Sequence, residues 1–131
     1  MSEFSIGSIV RFKGTKFHMT VIGLPKEASP GSPSYEHYQC MWVTEDGPQS
    51  EFILPIALSR SNGDRAPKAV MEGCVVQFKA SLASTRGTAE YNFSMVCLSI
   101  EDGVCRCQYF QKGHGFKQLR SIPIEALTTC Q

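Results

Sequence analysis

Hydrophobic and polar positions alternate along much of the chain, and the alternation comes in two matching sets. In IGSIVRFK (Ile6 to Lys13), Ser8, Val10 and Phe12 fall on one face of an extended strand and Ile9, Arg11 and Lys13 on the other. In EGCVVQFK (Glu72 to Lys79), Cys74, Val76 and Phe78 oppose Val75, Gln77 and Lys79, so the inward sets match. The correspondence continues in order. HMTVIGL (His18 to Leu24) answers to SMVCLSI (Ser94 to Ile100), and YQCMWV (Tyr38 to Val43) to CRCQYF (Cys105 to Phe110). A glycine-bearing turn follows in each half, TEDGPQSE or QKGHGFKQ, and then ILPIAL (Ile53 to Leu58) or SIPIEAL (Ser121 to Leu127). Short strands at this spacing predict a small, strongly bent sheet in each half. No segment sustains a helical period, so helix is confined to single turns, one of them near Pro123 to Leu127.

The halves differ in where they are interrupted. The first carries an insertion from Pro25 to His37, where the second has only the tight turn Glu101 to Gly103; the second carries a long polar segment between Lys79 and Met95. Such insertions belong in surface loops. The aperiodic stretch from Ser59 to Ala69 reads as a boundary. The expected organisation is a first unit over residues 1–60, a linker over 61–69 and a second unit over 70–131. Units this small have thin cores and gain by packing on each other. The fold expected is therefore all-β, with two small SH3-like barrels in tandem, packed against each other. Phe12 and Trp42 are expected in the core. Tyr109 and Phe110 are neighbours that must face opposite ways, which places one of them at the contact between barrels.

Composition narrows the class. A chain of 131 residues with 42% hydrophobic and 19% charged residues has the apolar content for a core, unlike a disordered segment. No apolar run approaches the roughly 20 residues that cross a bilayer as a helix, and the start, MSEFSIGS, lacks the features of a secretory signal. No membrane association and a cytoplasmic location are expected. Of the six cysteines, Cys40, Cys74, Cys97, Cys105 and Cys107 lie in strand-like runs as small hydrophobes, and Cys130 sits in the tail. No paired C-x-x-C knuckles occur, so no metal and no cofactor are expected. Basic and acidic residues number 6 and 7 through Arg65, then 7 and 5 afterwards, so neither half has a strong positive field.

The pattern G-x-x-V-x-F-K, then M-T-V, C-x-W, a glycine turn and P-x-x-L resembles the YodC-like family of small uncharacterised bacterial proteins, found widely in bacterial, phage and plasmid sequences. Gly7, Val10, Phe12, Lys13, Met19, Thr20, Val21, Cys40, Trp42, Pro55 and Leu58 carry it in the first copy. Gly73, Val76, Phe78, Lys79, Met95, Val96, Cys107, Tyr109, Pro123 and Leu127 carry it in the second. Val96, Tyr109 and both long insertions depart from the family pattern. The resemblance implies a tandem duplication of an SH3-like barrel, possession by mobile genetic elements, and no catalytic residues.

Two polar stretches are candidate binding sites. The first is Lys112-Gly113-His114-Gly115-Phe116-Lys117 with Arg120, a basic hairpin tip able to hold an anion or an acidic partner, or simply a solvated turn. Its counterpart, Glu45-Asp46-Gly47-Pro48, is acidic. The second is the proline-stiffened insertion with Tyr35 and His37, where aromatic rings suit an interface. The three histidines and six cysteines fall in no catalytic signature, so no enzyme is expected. The function read from the sequence is a non-catalytic module that engages a protein partner as adaptor or inhibitor. The alternative is a nucleic-acid-binding module using Lys112, Lys117 and Arg120 with Lys79 and Arg106. The sequence leaves the oligomeric state open.

Overall fold

The computed structural model describes residues 4–15, 18–25, 37–44, 47–61, 66–82, 94–111 and 113–129. The chain is all-β, with two five-stranded antiparallel sheets packed together. The first contains β1 (Ile9–Phe12), β2 (His18–Gly23), β3 (Tyr38–Thr44), β4 (Gly47–Ile53) and β5 (Leu58–Ser61), ordered β4-β3-β2-β1-β5. The second contains β6 (Val75–Phe78), β7 (Met95–Glu101), β8 (Val104–Gln111), β9 (Gly115–Pro123) and β10 (Leu127–Thr129), ordered β10-β6-β7-β8-β9. Read from opposite ends, the two orders are identical.

The repetition reaches individual hydrogen bonds. Gly7 and Gly73 both adopt positive φ, +94° and +86°, and donate to the carbonyls of Val21 and Cys97 at 2.8 and 2.7 Å. Val21 N–H returns to Ser8 and Cys97 N–H to Cys74. Ile22 in β2 and Leu98 in β7 each stand as the extra residue of a bulge, opposite Val21↔Cys40 and Cys97↔Cys107 pairings. Phe12 lies across from Leu58, and Phe78 across from Leu127. Among the described residues, helix is limited to the single 3-10 turns Pro55–Ala57, Lys79–Leu82 and Ile124–Ala126. Residues 66–70 run beside β10, where Lys68 N–H donates to Thr128 Oγ1 at 2.8 Å and Thr129 N–H to the Lys68 carbonyl.

Neither sheet closes on itself, because among the described residues no pairing joins β4 to β5 or β9 to β10. The expected closed barrels are therefore two barrel-like units. The first core holds Phe4, Val10, Met19, Val21, Tyr38, Cys40 and Leu58 on one face of the first sheet. Phe4 packs edge-on against Tyr38 with ring centroids 5.2 Å apart, its N–H donates to the Tyr38 hydroxyl, and Arg60 lies over its ring. The other face of that sheet, which alternation assigns to solvent, covers the second core. Met41 and Val43 join Val76, Phe78, Met95, Cys97, Cys105, Cys107, Tyr109, Ile122, Ala126 and Leu127 in one cluster. Ile9 packs with Ala80 and Leu82 of the 3-10 turn Lys79–Leu82, and Thr20 Oγ1 accepts from Ala80 N–H at 2.9 Å in a buried site. The molecule is thus layered: first core, first sheet, second core, second sheet.

Two core expectations change. Phe78 is buried, but Phe12 is 44% exposed. After Phe78 the chain turns back onto β1 and β2, whereas after Phe12 it enters the exposed turn at Lys13 and Gly14, which leaves the ring partly open to solvent. Trp42 is half-buried against the first core. Tyr109 is the member of its pair that reaches the contact between units.

Candidate interaction surface

Strand β8 alternates cleanly. Cys105, Cys107, Tyr109 and Gln111 point into the second core, and Arg106 and Phe110 point outward and are exposed. The turn to β9 places Gly113 and Gly115 at φ of +86° and +79°, a conformation that side chains with a Cβ rarely adopt, and His114 N–H donates to the Gln111 carbonyl at 2.9 Å. This register sets Phe110 directly across from Phe116. Their rings meet edge to face, with centroids 5.3 Å apart and planes at 68°. Phe110 is 61% and Phe116 73% exposed, and Val96 on β7, which pairs with Gln108, is 41% exposed on the same outward face.

The sequence candidates divide accordingly. His114, Phe116, Lys117 and Arg120 are brought together on this hairpin, all exposed. Tyr35 and Lys112 lie outside the described residues. His37 precedes β3 in the first unit, is half-buried, and has an Nδ1 atom that is buried without a hydrogen-bond partner. Lys79 stands on the 3-10 turn packed against the first sheet, so it does not join Arg106 on the outward face. Phe110 is the residue that sequence reasoning left unplaced. Its signal was phase: Tyr109 shares the period of Cys105 and Cys107, which sends Phe110 outward.

The hairpin is electrostatically one-sided. From Val104 to Ile124 the chain contains Arg106, Lys112, Lys117 and Arg120 and no aspartate or glutamate. Strand β9 ends its sheet, pairing among the described residues with β8 alone, and Phe116, Lys117, Gln118, Arg120 and Ser121 are all exposed along it. The equivalent end strand of the first sheet, β4, carries Pro48 near its start. A proline removes a backbone donor and discourages pairing with another strand.

The second core contains a thiol cluster. Cys97 and Cys105 sulfurs are 2.8 Å apart, and Cys105 and Cys107 sulfurs 3.5 Å apart, in a fully buried site. Burial pushes the Cys97 thiol up to about 12 and the Cys105 thiol up to about 11, and raises Cys107 as well. Thiols held protonated in this way are poor nucleophiles and pack as small apolar groups. Among the described residues, no group of three or more His, Cys, Asp or Glu side chains is arranged to hold a metal ion, and no helix is long and apolar enough to cross a membrane.

No protein-family model, curated protein or solved structure matches the chain.

Proposed function

We propose that the protein is a non-catalytic binding module that engages a protein partner through the outward face of its second sheet. One observation carries this reading. Thr20, Met41 and Val43 on the outward face of the first sheet are covered by the second unit, while their repeat counterparts Val96, Gln108 and Phe110 lie on a face that nothing covers among the described residues. Large exposed apolar groups that share one face, here Val96 and the Phe110 and Phe116 pair, mark interaction surfaces more often than scattered single ones do. Such a module works by occupying a surface of its partner, as an adaptor or an inhibitor does, and the resemblance to a family common on phage and plasmids agrees with that role.

The test is affinity capture with the intact chain, followed by the same capture with Phe110→Ser and Phe116→Ser combined. Both side chains are exposed, so the double variant retains its fold by circular dichroism and thermal melting. The partner should be recovered with the parent and lost with the variant. Equal recovery would reject this face. Binding to duplex and single-stranded DNA and RNA across salt concentration distinguishes the nucleic-acid reading, which requires affinity that falls steeply as salt rises. The even charge balance of the chain argues for the protein partner.

A further inference from the structure

We infer that the partner is recognised as an extended segment that adds to strand β9 as a sixth strand of the second sheet, and that this segment alternates acidic with apolar residues. The inference rests on the protein-binding reading above and specifies its chemistry. Three observations carry it. Strand β9 stands at one end of its sheet and, among the described residues, pairs with β8 and no other strand, so its outer row of backbone N–H and C=O groups can complete a ladder. The edge lacks the proline that blunts β4, since its own proline, Pro123, stands at the far end. The strand is cationic in a stretch without a single carboxylate.

The geometry also sets the pattern of the partner. Between Cys105 and Cys107 the β8–β9 register shifts, opposite Ile122 and Leu119, so the regular part of the edge is Gly115 to Leu119 and the bulge beyond it bends the strand away. Within that part, Phe116 and Gln118 face outward, while Lys117 shares the face of Tyr109 and remains exposed at the sheet margin. An added strand therefore places one set of side chains beside Phe116 and the alternate set beside Lys117. The first set gains by being apolar and the second by being acidic. A second copy of this chain presenting its own β9 would instead set Lys117 and Arg120 against the same cations, which disfavours that pairing.

The probe is a nine-residue peptide alternating glutamate with valine, titrated into the full-length protein by fluorescence anisotropy and followed by amide hydrogen exchange. Saturable binding is expected, with new protection of amides between Gly115 and Leu119. Replacing every glutamate by lysine should abolish binding, and Lys117→Glu with Arg120→Glu should weaken the acidic peptide about tenfold and restore the lysine peptide. Methylating alternate peptide amides, which removes ladder donors without changing charge, should also cost about tenfold or more. Equal affinity for the methylated and parent peptides would overturn strand addition. So would equal binding of heparin or oligothymidylate, which share the charge without the ladder, or self-association of the protein at micromolar concentration. Absence of peptide binding overturns the inference too; if the captured partner is nevertheless lost with Phe110→Ser and Phe116→Ser, the outward face stands and only the edge mechanism falls.

Discussion

The pairing of Gly7 with Gly73 offers a controlled measurement of the contact between the units. Both residues occupy the same repeat position with nearly the same backbone, φ of +94° and +86°, so an alanine at either meets the same intrinsic left-handed penalty of about 1–2 kcal/mol. Both variants also gain the same few tenths to about 1 kcal/mol from a less flexible unfolded chain. The surroundings differ. A Cβ on Gly73 meets nothing within 4 Å, whereas a Cβ on Gly7 would stand 2.1 Å from the carbonyl oxygen of Glu125 and 2.8 Å from its carbon. Carbon and oxygen require over 3 Å, so the chain must open by about an ångström. The obstacle is backbone in the 3-10 turn Ile124–Ala126, whose Ala126 is fully buried, and it cannot rotate aside as a side chain would. Overpacking of this kind costs about 1–3 kcal/mol. Gly7→Ala should therefore lose about 1–3 kcal/mol more than Gly73→Ala in equilibrium urea unfolding monitored by tryptophan fluorescence and circular dichroism. Losses equal within about 0.5 kcal/mol would refute the packing of the Gly7 turn against the second unit.

Other perturbations separate the layers. Phe78→Ala should cost about 3–5 kcal/mol and Phe12→Ala less than about 1 kcal/mol by the same unfolding assay, since only the first ring is buried; equal losses would contradict the asymmetry of the two strand ends. Thr20→Val keeps the shape of the side chain and leaves the Ala80 N–H buried without its acceptor, so a loss of about 1–3 kcal/mol is expected, and an unchanged midpoint would show that this bond does not bridge the units. Burial holds the Cys40 and Cys97 thiols at about 12 and Cys105 at about 11, whereas the unfolded thiols ionise near the ordinary value of 9.0. The folded state thus retains protons that the unfolded state releases: the thiol contribution is fully present below pH 9 and is lost between pH 9 and about 12, as urea midpoints across that range would record. With Cys97, Cys105 and Cys107 replaced by alanine or valine, their share of the decline should disappear and that of Cys40 should remain.

Alternation made the repeated inward positions legible. Val10 with Val76, Met19 with Met95 and Cys40 with Cys107 occupy the cores as the two-residue period requires. Phase alone fails at Phe12, because it reports the face of a residue and says nothing about what covers the end of its strand. It fails for a different reason at Ile9, Thr20, Met41 and Val43, which lie out of phase with the first core and are buried by the second unit. A contact between units leaves no period of its own. The trace it leaves is a difference between copies, since Met41, buried under the second unit, corresponds to Gln108 on the open face.

That same comparison bears on the binding surface. Among the described residues the outward face of the second sheet has no unit to cover, and polar residues there would serve solubility at no cost to the core. Gln108 and Arg106 fit that expectation. Val96, Phe110 and Phe116 do not: they stay apolar and exposed, the two rings set directly across from one another on neighbouring strands. The hairpin that carries them is also where acidic Glu45 and Asp46 of the first copy give way to lysine and histidine in the second. Apolar retention and charge reversal fall together on one hairpin, where Phe110 and Phe116 are largely exposed and add little to either core. Both features are what the proposed partner, with its apolar and acidic side chains, would require.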